Sequence, residues 1–261
     1  MIRYLRILRI FLVSSIQLEL EYRANVVMSA FNALMTYTVG LVVLLVLFSR
    51  AKAIGGWSFD ETLALQGVFL MLEAIIAIYV RPNLSRIPEY VRTGAMDGFL
   101  LKPISSQFMV SFRHATVWQV PGLVLGLAVL LYAMARMGTL APGALMLALM
   151  MLACGAAMIY AIWLMLATTA FWLVRVDDIG ELFQAFFGAG RLPASAYPSW
   201  LRIILSFVIP IAFITNVPAA AAVGRLSWPL AGASVLVALV LLVLAHLLWR
   251  HALASYTSAS S

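Results

Sequence analysis

The residue with the clearest chemical potential in this sequence is Glu73, which lies inside an apolar run at residues 62–80. A carboxylate in a run long enough to cross a membrane is costly, and such groups usually face a water-filled path or a partner. Glu73 could therefore act in a translocation path. It could equally be a protonated or hydrogen-bonded packing residue, with Asn32, Thr36 and Thr38 as candidate neighbours.

A second group of ionisable side chains lies in the polar stretch at residues 81–113, RPNLSRIPEYVRTGAMDGFLLKPISSQFMVSFR. Its charged residues include Arg86, Glu89, Arg92, Asp97 and Lys102. Pro88 can start a helix and Gly94 suits its end, so the spacing predicts a short helix near residues 88–93, followed by a turn at Asp97-Gly98. A compact charged helix between two apolar runs is suited to receive force from a partner. A solvated loop that only fixes topology is the alternative.

Two prolines, Pro210 and Pro218, interrupt a later apolar run at residues 202–223. Broken helices are tolerated in membranes where the freed backbone groups face protein or a water-lined cavity. The pattern predicts a kink followed by a short re-entrant helix that forms an outer gate, with Asn216 lining the exit. A kink that serves only packing is the alternative.

The other residue types that bind metals or catalyse reactions do not form a recognisable site. Cys154 is the single cysteine, and the three histidines lie at predicted helix ends without a ligand four residues away. The acidic cluster of Asp177, Asp178 and Glu181 lacks the spacing of a calcium loop, so we interpret it as a solvated turn or a partner contact. We predict no catalytic, cofactor or metal site in this chain.

The elements that position these groups are membrane-spanning helices. The chain is 64% hydrophobic and 10% charged, and its mean hydropathy is +1.04, which excludes an ordinary soluble domain. The uncharged run at residues 26–48 would reach about 34 Å as a helix, enough for a hydrocarbon core of about 30 Å. We predict an all-α integral membrane fold with about six transmembrane helices, at residues 26–48, 62–80, 115–135, 143–174, 202–223 and 230–249.

The basic residues between these runs fall mostly in alternate gaps, which predicts an orientation. On one side we place Arg3, Arg6, Arg9, Arg23, Arg81, Arg86, Arg92, Lys102, Arg113, Arg175, Arg191, Arg202 and Arg250, and on the other only Arg50, Lys52, Arg136 and Arg225. The positive-inside rule then puts both termini in the cytoplasm. This asymmetry and attraction to membrane lipids account for the net charge of +7, and we predict no nucleic-acid binding.

The first residues, 1–23, predict an amphipathic helix in the membrane interface, along its cytoplasmic surface. Three arginines fan over one face of this helix, and the apolar residues of the other face are Tyr4, Leu5, Leu8, Phe11, Leu12 and Ile16. A basic tail that only holds the topology is the alternative.

Three separated stretches resemble one known family, the ABC-transporter permeases of the type-two, exporter-like class. The cytoplasmic segment of that family is similar to the pattern Ile87-x-x-x-x-Arg92-x-Gly94-x-x-Asp97-x-x-Leu100-Leu101-Lys102-Pro103-Ile104-Ser105. Its approach to the first span resembles LEYRAN at 20–25. Its fifth helix resembles YPSWLR at 197–202 followed by IPIAFIT at 209–215 and by Pro218-Ala219.

The resemblance implies one transmembrane permease domain over residues 1–261, in a bacterial inner membrane, acting as an exporter. Two permease chains, identical or related, would form the path. This sequence has no G-x-x-x-x-G-K-[ST] loop, so a separate ATP-binding cassette subunit would bind ATP and Mg²⁺. By the resemblance, that subunit would dock on the segment from Arg86 to Lys102, with Arg86, Glu89, Arg92, Asp97 and Lys102 as the candidate contact residues. This chain would then not be an enzyme. An ion-gradient-driven secondary transporter that uses Glu73 is the alternative.

Overall fold

The computed structural model describes residues 2–21, 23–173 and 179–256, and every regular element within these ranges is helical. The α-helices are α1 Ile2–Glu21, α2 Arg23–Arg50, α3 Phe59–Ile75, α4 Arg81–Leu84, α5 Ile87–Arg92, α6 Asp97–Leu100, α7 Ser106–Phe112, α8 Val120–Met137, α9 Pro142–Thr168, α10 Ile179–Gly188, α11 Ser199–Ile203, α12 Val217–Ala222 and α13 Trp228–Ser255. π-Helical turns lie at Ile76–Val80, Ile204–Val208 and Ala212–Asn216. The predicted all-α fold is confirmed.

Four helical units in the described ranges are long and apolar enough to cross a membrane. They are Phe59–Arg92, Val117–Met137, Pro142–Phe171 and Trp228–Ser255, and they correspond to four of the predicted spans. Within α2, a shorter apolar helix at Tyr37–Arg50 overlaps the span predicted at 26–48. The chain is therefore an integral membrane protein, with four of its predicted spans supported by helix length and composition.

The apolar run at residues 202–223, counted as one of the predicted spans, is not a continuous helix, and it breaks at Pro210, where a kink was predicted. The first half ends at Val208, and Ile209 adopts an extended backbone with φ −124° and ψ 103° before helical turns resume at Ala212. Pro210 explains the break, because proline has no backbone N–H and its ring clashes with the preceding helical turn. A shorter apolar helix, Ala212–Ala222, is what remains of the predicted span.

Both ends of this broken segment lie at the same end of the bundle. Before it, the Ser195 hydroxyl donates to the Gly55 carbonyl at 2.6 Å. After it, the Arg225 guanidinium donates to the Gly56 carbonyl at 3.1 Å. Gly55 and Gly56 belong to the short loop between α2 and α3, so the chain goes into the bundle and returns to the same loop. This is the arrangement of a re-entrant hairpin.

The position of Arg202 corrects the predicted orientation of one basic residue. Its guanidinium donates to the carbonyl groups of Ser195 and Tyr197 at 3.2 and 3.3 Å, beside the loop at residues 51–58. Arg202 therefore lies with Arg136 and Arg225 at the end away from the polar segment. The prediction placed it on the opposite side because it treated residues 202–223 as a full crossing.

Helix α3 begins with a capping box and two ion pairs at this end. The Ser58 hydroxyl accepts from the Glu61 N–H at 3.4 Å, and the Glu61 carboxylate accepts from the Ser58 N–H at 2.8 Å. Glu61 also pairs with Arg225 at 2.8 Å, and Asp60 pairs with Arg136 at 3.2 Å. The start of α3 is thus joined to the end of α8 and to the residues that precede α13.

Close packing of α3 against α8 depends on facing glycines. A Cβ on Gly67 would lie 2.7 Å from the Leu130 nitrogen and 2.9 Å from the Gly126 carbonyl oxygen. Gly126 belongs to a G-x-x-x-G spacing, which lets helices approach in membranes. The two helices are therefore in backbone contact at a point where no larger residue fits.

Helix α1 forms as predicted, but its expected apolar face packs partly on protein. The Ser15 hydroxyl accepts from the Ala115 N–H, the Glu19 carboxylate accepts from the Val117 N–H, both at 3.1 Å, and the Tyr4 and Phe108 rings meet edge to face at 4.9 Å. The sequence pattern showed an apolar face but could not tell whether lipid or protein covers it. Helix α1 lies at the same end of the bundle as the polar segment.

Candidate functional site

The polar segment folds into short helices at the end of the long unit that begins with α3. Helix α5 runs over Ile87–Arg92, and the chain reverses at Gly94, which has φ +73°. This confirms the predicted short helix near residues 88–93. The predicted turn at Asp97-Gly98 is wrong, because these residues open helix α6, where the Leu101 N–H donates to the Asp97 carbonyl at 3.1 Å.

The two ends of the segment are joined by the Asn83 side chain. Its Oδ1 accepts from the His114 N–H at 2.8 Å, and its Nδ2 donates to the carbonyls of His114 at 2.6 Å and Tyr79 at 2.7 Å. Asn83 is only 1% exposed. The buried amide of Asn83 makes all three of these hydrogen bonds. It therefore fixes the two connections between the polar segment and the membrane helices.

Apolar anchors hold the short helices against the rest of the bundle. Ile87 and Met96 are completely buried, and Phe99 is 3% exposed. The Phe99 ring also lies under the Arg113 guanidinium at 5.4 Å and the Lys102 ammonium at 5.8 Å. The segment is therefore a packed part of the protein rather than a solvated loop.

The predicted contact residues differ in their surroundings. Arg86, Glu89, Arg92 and Lys102 are exposed, whereas Asp97 is half-buried. Asp97 lies beside Tyr256, and burial together with this carboxylate raises the pKa of the Tyr256 hydroxyl. Asp97 thus links the segment to the residue that follows α13, while the exposed residues remain accessible to another protein.

A cleft of about 380 Å³ separates α5 from the end of α9. One wall carries Pro88, Glu89 and Arg92 from α5, and the other carries the residues from Ala170 to Leu173. Trp172 and Leu173 are large apolar side chains that are 45% and 55% exposed. The cleft therefore offers charge on one side and apolar surface on the other.

Glu73 is paired with Arg191 inside the bundle. The carboxylate oxygen Oε2 lies 3.8 Å from a terminal nitrogen of the Arg191 guanidinium. The guanidinium lies 4.9 Å above the Phe69 ring, which stacks on Phe187 at 4.8 Å. The carboxylate therefore has a charged partner rather than the hydroxyl or amide neighbours expected from the sequence.

Of the neighbours expected for Glu73, one bonds within its own helix and two lie outside the described side chains. The Thr38 hydroxyl donates to the Leu34 carbonyl of its own helix at 2.7 Å, while the side chains of Asn32 and Thr36 lie outside the described part of the chain. Sequence reasoning counted Arg191 among the cytoplasmic basic residues. The sequence did offer one indication of this pair. Arg191 follows a Gly- and Ala-rich apolar stretch, and an arginine in such surroundings often neutralises a carboxylate within the membrane.

The three predicted gate residues lie in or beside the re-entrant hairpin. Pro210 is buried at the break, and Pro218 is in α12, which directly follows the π-helical turn at Ala212–Asn216. The Asn216 Oδ1 accepts from the Ala194 N–H at 2.8 Å, and its Nδ2 donates to the Thr215 hydroxyl at 3.0 Å. Asn216 therefore joins the hairpin to the loop that precedes it.

The hairpin packs deeply against α9. A Cβ on Gly155 would lie 2.6 Å from the Ile214 carbonyl oxygen, and both Ile214 and Thr215 are fully buried. Asp177 and Asp178 of the predicted acidic cluster, and the side chain of Glu181, lie outside the described residues.

Comparison with known proteins identifies a family for this chain. A model of the ABC-2 family transporter proteins matches residues 34–260, which include both candidate sites. No curated protein and no solved structure matches the sequence. The matched range covers most of the 261 residues. The chain therefore belongs to the ABC-2 family of transporter proteins, as a membrane permease.

Proposed function

We propose that this chain is the membrane-spanning subunit of an ATP-driven exporter in a bacterial inner membrane. Two permease chains, identical or related, enclose the translocation path, and separate ATP-binding cassette subunits bind ATP and Mg²⁺ and hydrolyse the nucleotide. The observation that carries the proposal is the packed, charged helix α5, placed at the end of a membrane-spanning unit and tied back to the bundle by Asn83.

Helix α5 is connected rigidly to the membrane-spanning helix α3. Helix α3 continues through the π-helical turn at Ile76–Val80 directly into α4, and Ile87 is completely buried at the start of α5. The Thr116 N–H also donates to the Ile78 carbonyl at 3.0 Å. Because protein interiors are close-packed and resist compression, a displacement of α5 is passed to α3 and to the start of α8.

The exposed surface of α5 has the chemistry of a protein contact. Arg86, Glu89, Arg92 and Lys102 supply charges of both signs, which set register and suppress wrong partners at an interface. The neighbouring cleft adds Trp172, and exposed tryptophan and arginine side chains are enriched at interface hot spots. A partner seated here would contact α5 and the end of α9 together.

The proposed permease crosses the membrane six times. Helix α10 with the turn at Ala189–Arg191 forms the fifth crossing, and α2, the unit that begins with α3, α8, α9 and α13 form the others. Helix α10 packs on α9 through Phe183 and Trp163, whose rings lie 5.7 Å apart, and Ser195 reaches the loop at the opposite end from the polar segment. The re-entrant hairpin then serves as the outer gate, with Pro210 at its bend and Pro218 and Asn216 on its returning limb. Both termini lie on the cytoplasmic side, with the polar segment.

Affinity purification in mild detergent tests the proposed function directly. The tagged full chain should bring down a P-loop ATPase in stoichiometric amount, identified by mass spectrometry, and native mass spectrometry should show two permease chains. Exchange of Glu89 and Arg92 for residues of opposite charge should weaken recovery of the ATPase. Reproducible purification of the permease without any ATPase would overturn the proposal.

A further inference from the structure

The ion pair between Glu73 and Arg191 lies deep in the membrane-spanning part of the molecule. About 21 Å of helix separates Phe59 from Glu73, at about 1.5 Å per residue, and the helical unit continues beyond Glu73 to Arg92. The guanidinium of Arg191 lies at the same depth, since it is 3.8 Å from the Glu73 carboxylate.

Part of this ion pair is accessible from outside the chain. The Arg191 side chain is 38% exposed and the Glu73 side chain is 21% exposed. Charged groups at membrane depth avoid lipid, and face a bundle interior, a partner or a water-filled cavity. The exposed part of Arg191 therefore faces a path or a second chain rather than hydrocarbon.

The contact between the two charges is loose. The closest nitrogen–oxygen distance is 3.8 Å, too long for a hydrogen bond. Among the described residues, Glu73 Oε2 and Arg191 Nε have no hydrogen-bond partner, although both atoms are shielded from solvent. An unsatisfied buried donor is costly, so an acceptor that reaches Arg191 Nε would gain free energy there.

Positive charge exceeds negative charge around this carboxylate. Both Arg191 and Arg81 lie within electrostatic range of Glu73. One carboxylate cannot neutralise two guanidinium groups, so an anion is the ligand that the local charge favours. Arginine also binds carboxylate, sulfate and phosphate groups through two parallel hydrogen bonds.

A row of buried aromatic rings extends from Arg191 through the bundle. Phe69 stacks on Phe187, Phe187 stacks on Phe183 at 6.0 Å, and Phe183 meets Trp163. Phe69 and Phe187 are each 1% exposed, so they fix the guanidinium position rather than line open space. The Phe69 ring therefore packs against the guanidinium of Arg191.

We propose that Arg191, restrained by Glu73 and the Phe69 ring, binds the anionic group of an amphipathic substrate whose apolar body lies along the membrane helices. The anion draws Arg191 away from its loose contact with Glu73, and Glu73 resets the arginine once the substrate leaves. The site names a substrate class for the proposed exporter and rests on that function.

Binding to the full chain in phosphatidylcholine nanodiscs tests the site without requiring transport. The probes are radiolabelled dodecanoate and dodecylamine, which share a chain length and differ in charge. The chain should bind dodecanoate more tightly, and Arg191→Gln should weaken that binding about tenfold, the effect of one charge-assisted pair. Arg191→Lys should retain part of it. Arg250→Gln is the matched control, because Arg250 is an exposed arginine on α13, outside the site.

The decisive comparison is between Arg191→Gln and Glu73→Gln. An anion site requires effects of opposite sign, because removal of Glu73 releases Arg191 and should tighten dodecanoate binding. A merely structural ion pair requires the same sign for both substitutions. Equal weakening by both variants, unchanged binding in Arg191→Gln, or equal affinity for the two probes would each overturn the proposal. Failure to recover an ATPase would instead overturn the proposed function, so the two failures are distinguishable.

Discussion

The Asn83 side chain binds the His114 backbone at both of its polar groups, accepting from the N–H at 2.8 Å and donating to the carbonyl at 2.6 Å. This pairing reproduces the hydrogen bonds of a β-bridge with one side chain. It joins the point where the chain leaves α3 to the point where it returns towards α8. The two ends of the polar segment are therefore held together where it meets the membrane helices.

Replacement of Asn83 by leucine should uncouple ATP hydrolysis from transport. The substitution leaves the buried N–H and carbonyl of His114 without their partner, at a cost of about 2 kcal/mol or more in stability. Transport and ATPase activity of the reconstituted complex should be measured together, with the melting temperature of the chain in detergent. Ser85→Ala is the control, because that exposed hydroxyl bonds only its own helical turn. Coupled transport at the native ratio in Asn83→Leu would contradict this role.

Charge reversal on α5 should weaken docking of the ATPase. The double variant Glu89→Lys, Arg92→Glu changes exposed side chains, so the fold should be retained while complementarity is lost. We expect the affinity of the permease for its ATPase to fall about tenfold or more, since truncating well-paired interface charges typically costs that much. Lys52→Glu, an exposed change at the other end of the bundle, should leave affinity unaltered. Equal affinities in both variants would exclude α5 as the docking helix.

A side chain at Gly67 should destabilise the bundle. In Gly67→Val, the new Cβ would lie 2.7 Å from the Leu130 backbone nitrogen, so α3 and α8 must separate. Overpacking of this kind costs about 1–3 kcal/mol. Thermal unfolding in detergent should show a clear loss for Gly67→Val and little change for Gly232→Val, where no atom lies within 4 Å of an added Cβ. Equal melting temperatures would mean that the helices are not in backbone contact.

His114 should make stability depend on acidity. Burial, with help from Arg86 and Arg113, lowers the pKa of His114 to about 4 from its ordinary value of 6.5. The unfolded chain therefore binds more protons than the folded one between these values, and the contribution of His114 is complete above pH 6.5 and is lost as the pH falls towards 4. Melting temperature measured across this range should fall less steeply in His114→Gln than in the unsubstituted chain. His251→Gln, which changes an exposed histidine, should keep the original slope.

The re-entrant hairpin predicts which face of the membrane exposes Arg202. In a Cys154→Ala background, a cysteine introduced by Arg202→Cys should react with a membrane-impermeant maleimide added outside intact cells. A cysteine introduced by Arg92→Cys should react only after the membrane is opened. Labelling of both positions from the same side would contradict the hairpin, because Arg202 contacts the loop at the end opposite α5.

Local chemistry made some elements predictable from the sequence. The short helix α5 follows from Pro88 near its start and Gly94 just past its end, since both act through the backbone of neighbouring residues. The four long apolar units follow from run length alone. In each case the determining residues lie within the element that they specify.

Features that depend on distant partners were not predictable. Pro210 and Pro218 predicted the interruption of residues 202–223, but not that Gly55 and Gly56 would bind both ends of the broken segment. The partner of Glu73 is Arg191, far along the chain, and only the packing of α10 against α3 brings them together. The same limit applies to α1, where the sequence shows an apolar face but not the surface that covers it.

In the proposed exporter, the ion pairs at the start of α3 would affect how movement at α5 spreads through the molecule. Asp60 and Glu61 pair with Arg136 and Arg225, so this end of α3 would move least. A rod fixed at one end and pushed at the other pivots, and its displacement grows with distance from the fixed point. Glu73 lies on α3 between its paired end and α5. A movement of α5 driven by a nucleotide-binding partner would therefore displace the pair of Glu73 and Arg191 sideways, by less than it displaces α5.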